Sequence, residues 1–273
     1  MVRRSGVRGG VAFLCLGIAL VLGRPLRGDE IRSAADPSFG ADAAALWKKA
    51  LAIYEKNRDW YPRKVTVVSE VLNRRHEPYS VTELNFALRL DDQGRLHTKL
   101  TRSMKNGKDT TGEMSKKVEI RSTPEGMDPD KEDSYSVSIS DSPFDPEKQK
   151  LVSWRASAER QALFGHACRR FDFSFRTRIL RKGEAEELTW TGMAWLDEVS
   201  GIPVKMEFTL EPLPSHIRSF WTIYLYDTRH PDKWVVKQVT IRGHGGFLFI
   251  IKRFRSTTTF ADYRLPPGRA EED

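Results

Sequence analysis

The sequence has too few cysteines for a disulfide framework. Its 273 residues contain two, Cys15 and Cys168, whereas small secreted scaffolds are held together by several cysteine pairs. Long apolar segments are missing as well. The run from Val11 to Leu22 has 12 residues, too few for a helix to cross a hydrocarbon layer of about 30 Å. The composition therefore excludes a disulfide-rich scaffold and a multi-span membrane protein.

Recognisable catalytic motifs are also absent. The sequence contains no G-x-S-x-G, H-E-x-x-H, P-loop, G-x-G-x-x-G or C-x-x-C pattern, and its six histidines are scattered. His166 and Cys168 share a strand face, which leaves open a Cys–His dyad, half of a metal site or an ordinary half-buried strand. The acidic stretch 128–133 favours a solvated loop over a calcium site because it lacks the EF-hand spacing. We predict no cofactor, no metal site and no enzymatic activity.

Positive charge is concentrated at the beginning of the chain. The 45 Lys and Arg exceed the 37 Asp and Glu, but five arginines and no acid fall in residues 1–28, and without them the excess drops from 8 to 3. A nucleic-acid partner is therefore not expected. Arginines, then a short apolar run, then Gly23 and Gly28 are typical of a signal peptide. We expect residues 1–28 to be removed on export to the periplasm, with an uncleaved anchor as the alternative.

The next segments are a leader and a helix. Residues 29–41 are expected to be a flexible leader. After them, apolar residues recur at three- and four-residue steps, which predicts an amphipathic helix over about 42–58. Its apolar face is formed by Ala43, Leu46, Trp47, Ala50, Leu51 and Tyr54. No other segment has a strong helical period.

From Pro62 onward the apolar period changes to two. Apolar and polar residues alternate over stretches such as 84–90 and 204–210, as in half-buried strands. We predict ten to twelve strands, including one at about 113–122 and one that begins at about Arg160. Because no crossover helix separates them, the sheet should be antiparallel. The Pro-, Asp- and Ser-rich stretch 123–150 is predicted to be a long excursion on the rim.

Together these elements predict one mainly β (α+β) domain over residues 42–265. Its expected architecture is an incomplete antiparallel β-barrel with the N-terminal amphipathic helix packed on it. Residues 266–273 are expected to form a disordered tail.

Several motifs resemble the periplasmic lipoprotein-carrier superfamily, which has the LolA/LolB-like fold. Thr191-Gly-Met-Ala-Trp-Leu-Asp197, a turn and Gly201-Ile-Pro-Val-Lys-Met-Glu-Phe208 resemble a hairpin of that family. Phe164-Gly-His-Ala-Cys168 and the phenylalanines after it resemble the preceding strand pair, and Phe247–Tyr263 resembles a closing strand. The order of features is similar over about residues 42–263. One departure is the acidic, Pro-broken segment 123–150, where the carriers have short helices.

The resemblance implies a non-enzymatic, exported protein with an apolar cavity in a half-barrel. Its partners would be a lipid or an acylated lipoprotein, together with inner- or outer-membrane proteins. Alternating strand residues are expected to line the cavity, although a shift of one residue would invert the face. The expected lining residues are Phe86, Leu88, Phe173, Trp190, Met206, Phe208, Tyr224 and Phe249.

Two alternatives remain open at this point. The same fold could have a filled cavity and serve as an envelope interaction or sensor module. The chain could also be an enzyme whose motif is not recognisable.

Overall fold

The chain is described in a computed structural model over residues 41–91, 96–122, 142–181, 184–213, 217–229, 233–247 and 250–266. These ranges contain two α-helices, α1 (Ala41–Asn57) and α2 (Thr111–Ser122), a 3₁₀ helix (Pro146–Leu151) and eleven strands. The strands are β1 (Tyr61–Leu72), β2 (Pro78–Leu90), β3 (Leu96–Lys105), β4 (Lys108–Asp109), β5 (Val152–Leu163), β6 (His166–Arg181), β7 (Glu184–Asp197), β8 (Pro203–Glu211), β9 (Ile217–Asp227), β10 (Val235–Phe247) and β11 (Ile250–Arg264).

All described strands belong to one antiparallel sheet in the order β4-β3-β2-β1-β11-β10-β9-β8-β7-β6-β5. Sequence neighbours pair as hairpins except for β4 and β5, and β11 returns to lie beside β1. The outermost strands, β4 and β5, do not pair with each other, so the sheet stays open. The predicted fold class is confirmed: a mainly β protein with an open antiparallel sheet and the N-terminal helix packed on it.

The helix α1 covers one face of the sheet, here called the inner face. Ala43, Leu46, Trp47 and Ala50 are at most 7% exposed, and they join the same core cluster as the inner residues of β6–β9. Leu51 and Tyr54 pack against that cluster and are partly buried. The three- and four-residue spacing therefore predicted the buried side of the helix correctly.

The predicted strand at about 113–122 is wrong, because these residues form helix α2. The Asp109 carboxylate accepts a hydrogen bond from the Thr111 backbone N–H (2.8 Å), and Ser103 of β3 is bonded to the Thr110 and Thr111 hydroxyls. These contacts start a helix at a point where the sequence pattern alone suggested a strand. Local capping and tertiary contacts thus outweighed the weak strand pattern.

Strand β5 is longer than predicted. It begins at Val152 rather than at about Arg160, and a bulge between Ala156 and Arg160 interrupts the alternation that would have revealed it. The end of the predicted rim excursion belongs to the core, since Phe144 is completely buried. The rest of that excursion (123–141), the signal peptide, residues 29–40 of the leader and residues 267–273 lie outside the described residues.

Trp47→Ala should destabilise the protein by about 3–5 kcal/mol, because it removes a large side chain that is 3% exposed and contacts several rings. Equilibrium unfolding in denaturant measures this cost. The matched control, Lys48→Ala, changes the neighbouring exposed position and should alter the free energy of unfolding by less than about 0.5 kcal/mol. Equal stability of the Trp47 variant and wild type would mean that the helix is not docked through this indole.

Candidate binding face

Aromatic rings in contact with one another fill one half of the inner face. Trp47 of α1 lies 5.0 Å from Trp154, 4.9 Å from Phe144 and 5.6 Å from Phe171 (ring centroids). The series continues across β6–β9 and ends at Trp234, which stacks on Tyr226 at 4.4 Å. We call this group the aromatic block: Trp47, Phe144, Trp154, Phe171, Phe173, Phe175, Trp190, Phe208, Tyr224, Tyr226 and Trp234.

Most of the residues predicted to line a cavity lie within this block or beside it. Phe208 is the centre of the group, with ring centroids 5.3 Å from Trp190, 5.4 Å from Tyr224 and 6.4 Å from Phe173. Met206 belongs to the same core cluster and is 1% exposed. A ligand in this half of the face would have to displace side chains that are already packed against one another.

The three other predicted lining residues lie apart from that centre. Leu88 of β2 is buried in the same cluster, and Phe86 is partly buried against it. Phe249 lies outside the described residues. The alternating pattern thus selected one face of the sheet, but it could not tell a packed position from an accessible one.

The other half of the inner face is also apolar, but its side chains are only partly buried. Val67, Val71, Leu84 and Phe254 have intermediate exposure, and Ser69 between the two valines is exposed. Val67 is opposite Leu84 on one side and Thr258 on the other, and Val71 is opposite Phe254, so these residues share one face. We call Val67, Val71, Leu84, Phe86 and Phe254 the open apolar strip.

A glycine forms part of the wall next to this strip. Gly243 of β10 pairs with Phe254 of β11. A Cβ at position 243 would lie 2.7 Å from Phe254 Cζ and 2.9 Å from the Ser219 carbonyl oxygen. Because glycine has no side chain, the Phe254 ring can lie directly against the neighbouring strand. Sequence reasoning did not select Val67, Val71, Leu84 or Phe254 as site residues, although the alternation of β1 placed the two valines on one side.

His166 and Cys168 do not form a catalytic dyad. The His166 ring lies between two partners, with Nδ1 3.0 Å from Asp197 Oδ2 and Nε2 3.0 Å from Thr228 Oγ1. The Cys168 thiol is buried and donates weakly to the His166 carbonyl oxygen (3.6 Å). Burial, with a smaller contribution from the nearby Asp197 carboxylate, raises the pKa of Cys168 to about 11. The thiol therefore stays protonated at neutral pH and is a poor nucleophile.

Asp197 holds the turn between β7 and β8. Its Oδ1 accepts hydrogen bonds from the Ser200 backbone N–H (2.7 Å), the Ser200 hydroxyl (2.6 Å) and the Val199 N–H (3.2 Å). Gly201 completes the turn at a φ of +79°, in the region that favours glycine. Burial acts to raise the pKa of Asp197, but hydrogen bonds from Ser200, His166 and Val199 outweigh it and leave the pKa below its ordinary value.

No cluster of three or more His, Cys, Asp or Glu side chains suited to a metal ion occurs among the described residues. The acidic stretch 128–133 lies outside them. Within the described ranges, neither helix is long and apolar enough to cross a membrane. The inner face, by contrast, is lined mainly by apolar side chains.

Comparison with family models and with curated proteins returns no match. The structure is similar to a domain assigned to outer-membrane lipoprotein sorting from Vibrio parahaemolyticus, with 13% identity and a TM-score of 0.36 over 83% of this chain and 96% of that one. It is also similar to MucB in complex with MucA(peri), with 9% identity and a TM-score of 0.23 over 82% and 99% of the two chains.

A Pseudomonas aeruginosa MucA/MucB complex gives similar values: 9% identity and a TM-score of 0.22 over 82% of this chain and 99% of that chain. These similarities assign no ligand and no role to this chain.

Asp197→Asn should destabilise the protein by about 1–3 kcal/mol at neutral pH, because it disturbs a buried acceptor of several hydrogen bonds. Since the pKa of Asp197 is lowered in the folded state, the ionised carboxylate stabilises the fold above about pH 4. This contribution is lost as the pH falls through the folded pKa. Denaturant unfolding of both proteins at a series of pH values between about 7 and 3 measures it.

The difference between wild type and Asp197→Asn should shrink toward acid pH. Glu211→Gln, at an exposed position near the end of β8, serves as the control and should follow wild type throughout. A difference that stays constant down to the lowest pH would contradict the role of the Asp197 charge.

Proposed function

We propose that this chain is an exported envelope protein that binds the acyl chains of a lipid or lipoprotein without catalysing a reaction. The observation that carries the proposal is the open apolar strip. Its members lie on the covered side of the sheet, yet they keep intermediate exposure beside a fully packed aromatic block. A half-covered apolar surface inside an open sheet suits an apolar ligand more than a polar one.

The strip offers a ligand apolar surface area rather than specific polar contacts. Ser69 and Ser256 form a cross-strand pair next to the strip residues, and their hydroxyls are hydrogen-bonded to each other at 3.1 Å. An acyl chain on this wall would gain about 0.8 kcal/mol for each buried CH₂ group. Binding should therefore tolerate changes in acyl-chain structure, depend little on salt and show a negative change in heat capacity.

The aromatic block has a different part in this proposal. Its rings are packed against one another and against α1, so it forms a packed core beside the strip. We propose that the ligand lies on the strip. Of the eight lining residues predicted from the sequence, Phe86 belongs to the strip, and the other seven are not part of this proposed site.

The packed block also favours a second candidate, the envelope interaction or sensor module. Six of the expected lining residues, Leu88, Phe173, Trp190, Met206, Phe208 and Tyr224, are 1–8% exposed. If the strip takes up no ligand, the inner face serves only as a core, and the function must lie in contacts with another protein. Ligand uptake distinguishes the two candidates.

Val67→Asn should weaken the binding of a fluorescent fatty acyl probe by about tenfold, the equivalent of about 1.4 kcal/mol of lost apolar contact. Val68→Asn is the matched control. Both valines have intermediate exposure and are adjacent in β1, but they point to opposite faces of the sheet. The control should bind the probe like wild type, and melting curves of both variants confirm that they fold.

Equal binding by the two variants would contradict the strip as the site. A folded wild-type protein that takes up no probe would overturn the carrier proposal and leave the interaction module. Extraction of the purified protein with organic solvent, followed by mass spectrometry, tests whether it carries lipid from its host.

Export has its own test. The protein isolated from its native host should have lost 23 to 28 residues, because the first residues combine arginines, a short apolar run and small residues. Intact-mass measurement gives the result directly. A mass that includes Met1–Leu22, or a lipid on Cys15, would contradict removal of a signal peptide.

A further inference from the structure

Strands β10 and β11 separate at one end of the sheet. Their pairing stops at Gln238 opposite Thr259. Beyond this point β10 stays paired with β9 as far as Val235 opposite Asp227, while β11 stays paired with β1 as far as Arg264 opposite Tyr61. The two strands therefore diverge, and a cavity of about 460 Å³ lies between them. We call this cavity the wedge.

The wedge is braced by contacts across it. The Tyr263 hydroxyl donates to the Val236 carbonyl oxygen at 2.5 Å and so connects β11 with β10. The Lys233 ammonium donates to the Tyr263 carbonyl oxygen (3.4 Å) and lies 4.0 Å from the centroid of the Trp60 ring. These contacts connect the two sides of the wedge. The volume lies within the range of about 300–1,000 Å³ that is usual for small-molecule sites.

The charged lining of the wedge is mainly basic. Its described residues include four cations and two carboxylates. Each carboxylate is paired with an arginine: Asp227 with Arg229 at 2.5 Å, and Asp262 with Arg264 at 3.5 Å. The hydrogen bond from Arg229 lowers the pKa of Asp227 to about 2, so this pair is charged on both sides at neutral pH. Lys237 also acts electrostatically on Asp227, and the charges of the described lining sum to an excess of two positive charges.

The wedge differs from the open apolar strip in place and in chemistry. Thr259, Phe260 and Ala261 line the wedge. Thr259 and Ala261 are exposed, whereas Phe260 between them is buried in the inner-face core. The wedge therefore opens toward the outer face of the sheet. A ligand there meets ammonium and guanidinium groups, which bind phosphate oxygens through charge-assisted hydrogen bonds.

We propose that the wedge between β10 and β11 binds a phosphate group, with Lys233 and Lys237 as its principal ligands. Lys233 is positioned by Trp60 and Tyr263, and Lys237 is an exposed residue of the lining. The phosphate could belong to a soluble molecule or to a lipid headgroup. Both sources present the same chemistry to the two lysines, and the experiment separates them. The proposal does not depend on the acyl-chain function.

Isothermal titration calorimetry of the full exported chain tests this proposal with three probes: inorganic phosphate, glycerol 3-phosphate and dihexanoyl phosphatidylglycerol below its micelle concentration. We expect saturable binding of at least one probe, weakened about tenfold by Lys237→Gln and further by the added change Lys233→Gln. Lys237→Arg, which keeps the charge, should retain binding. The control Lys99→Gln removes an exposed lysine of β3 and should bind like wild type.

The pattern of probes identifies the source of the phosphate. Binding of all three probes with similar affinity indicates that the phosphate alone is recognised. Tighter binding of the phosphatidylglycerol probe, lost in the lysine variants, indicates a lipid headgroup. The proposal is overturned if wild type binds none of the probes saturably, or if Lys99→Gln weakens binding as much as Lys237→Gln does.

Discussion

The contact of Trp47 with the sheet is the interaction on which the rest of the inner face depends. An open antiparallel sheet has one face that must be covered, and α1 covers it where the strands carry the most aromatic side chains. The Trp47 indole fits among Phe144, Trp154 and Phe171, while its Nε1 donates to Gln149 Oε1 at 3.1 Å. A single side chain thus joins the helix, the segment before β5 and two strands.

This junction also explains why the inner face has two unlike halves. Ala43 and Ala50, both fully buried, let α1 approach the sheet closely. Near the other side of the helix, Lys49 donates to the Val199 carbonyl oxygen at 2.9 Å, in the turn that Asp197 holds. Trp47 and Lys49 therefore hold the helix against β5–β8. The strip residues on β1, β2 and β11 keep intermediate exposure.

Local periodicity was enough to predict α1 and most of the strands, and the lack of crossover helices between them predicted the antiparallel sheet, although the segment 113–122 forms helix α2 instead of a strand. It could not predict which inner residues are packed. Phe144 comes from a Pro-rich segment without alternation, yet it fills the gap next to Trp47. Bulges at Asn85/Phe86 and Ala156/Arg160 shift the pairing of strands in ways that only the partner strand determines. The division into a block and a strip results from such contacts between distant segments.

The two proposed sites lie on opposite faces of β11, and this limits how they can work together. The sheet separates an acyl chain on Phe254 from a phosphate near Ala261, so one small lipid could not reach both unless it passed around a sheet edge. They also respond differently to the solvent. Salt screens the exposed charges of the wedge, with a Debye length of about 8 Å at physiological ionic strength, but barely affects apolar contact on the strip. Raising the salt concentration should therefore release a phosphate ligand while an acyl ligand stays bound. The salt dependence of binding thus distinguishes the two sites in one sample of the protein.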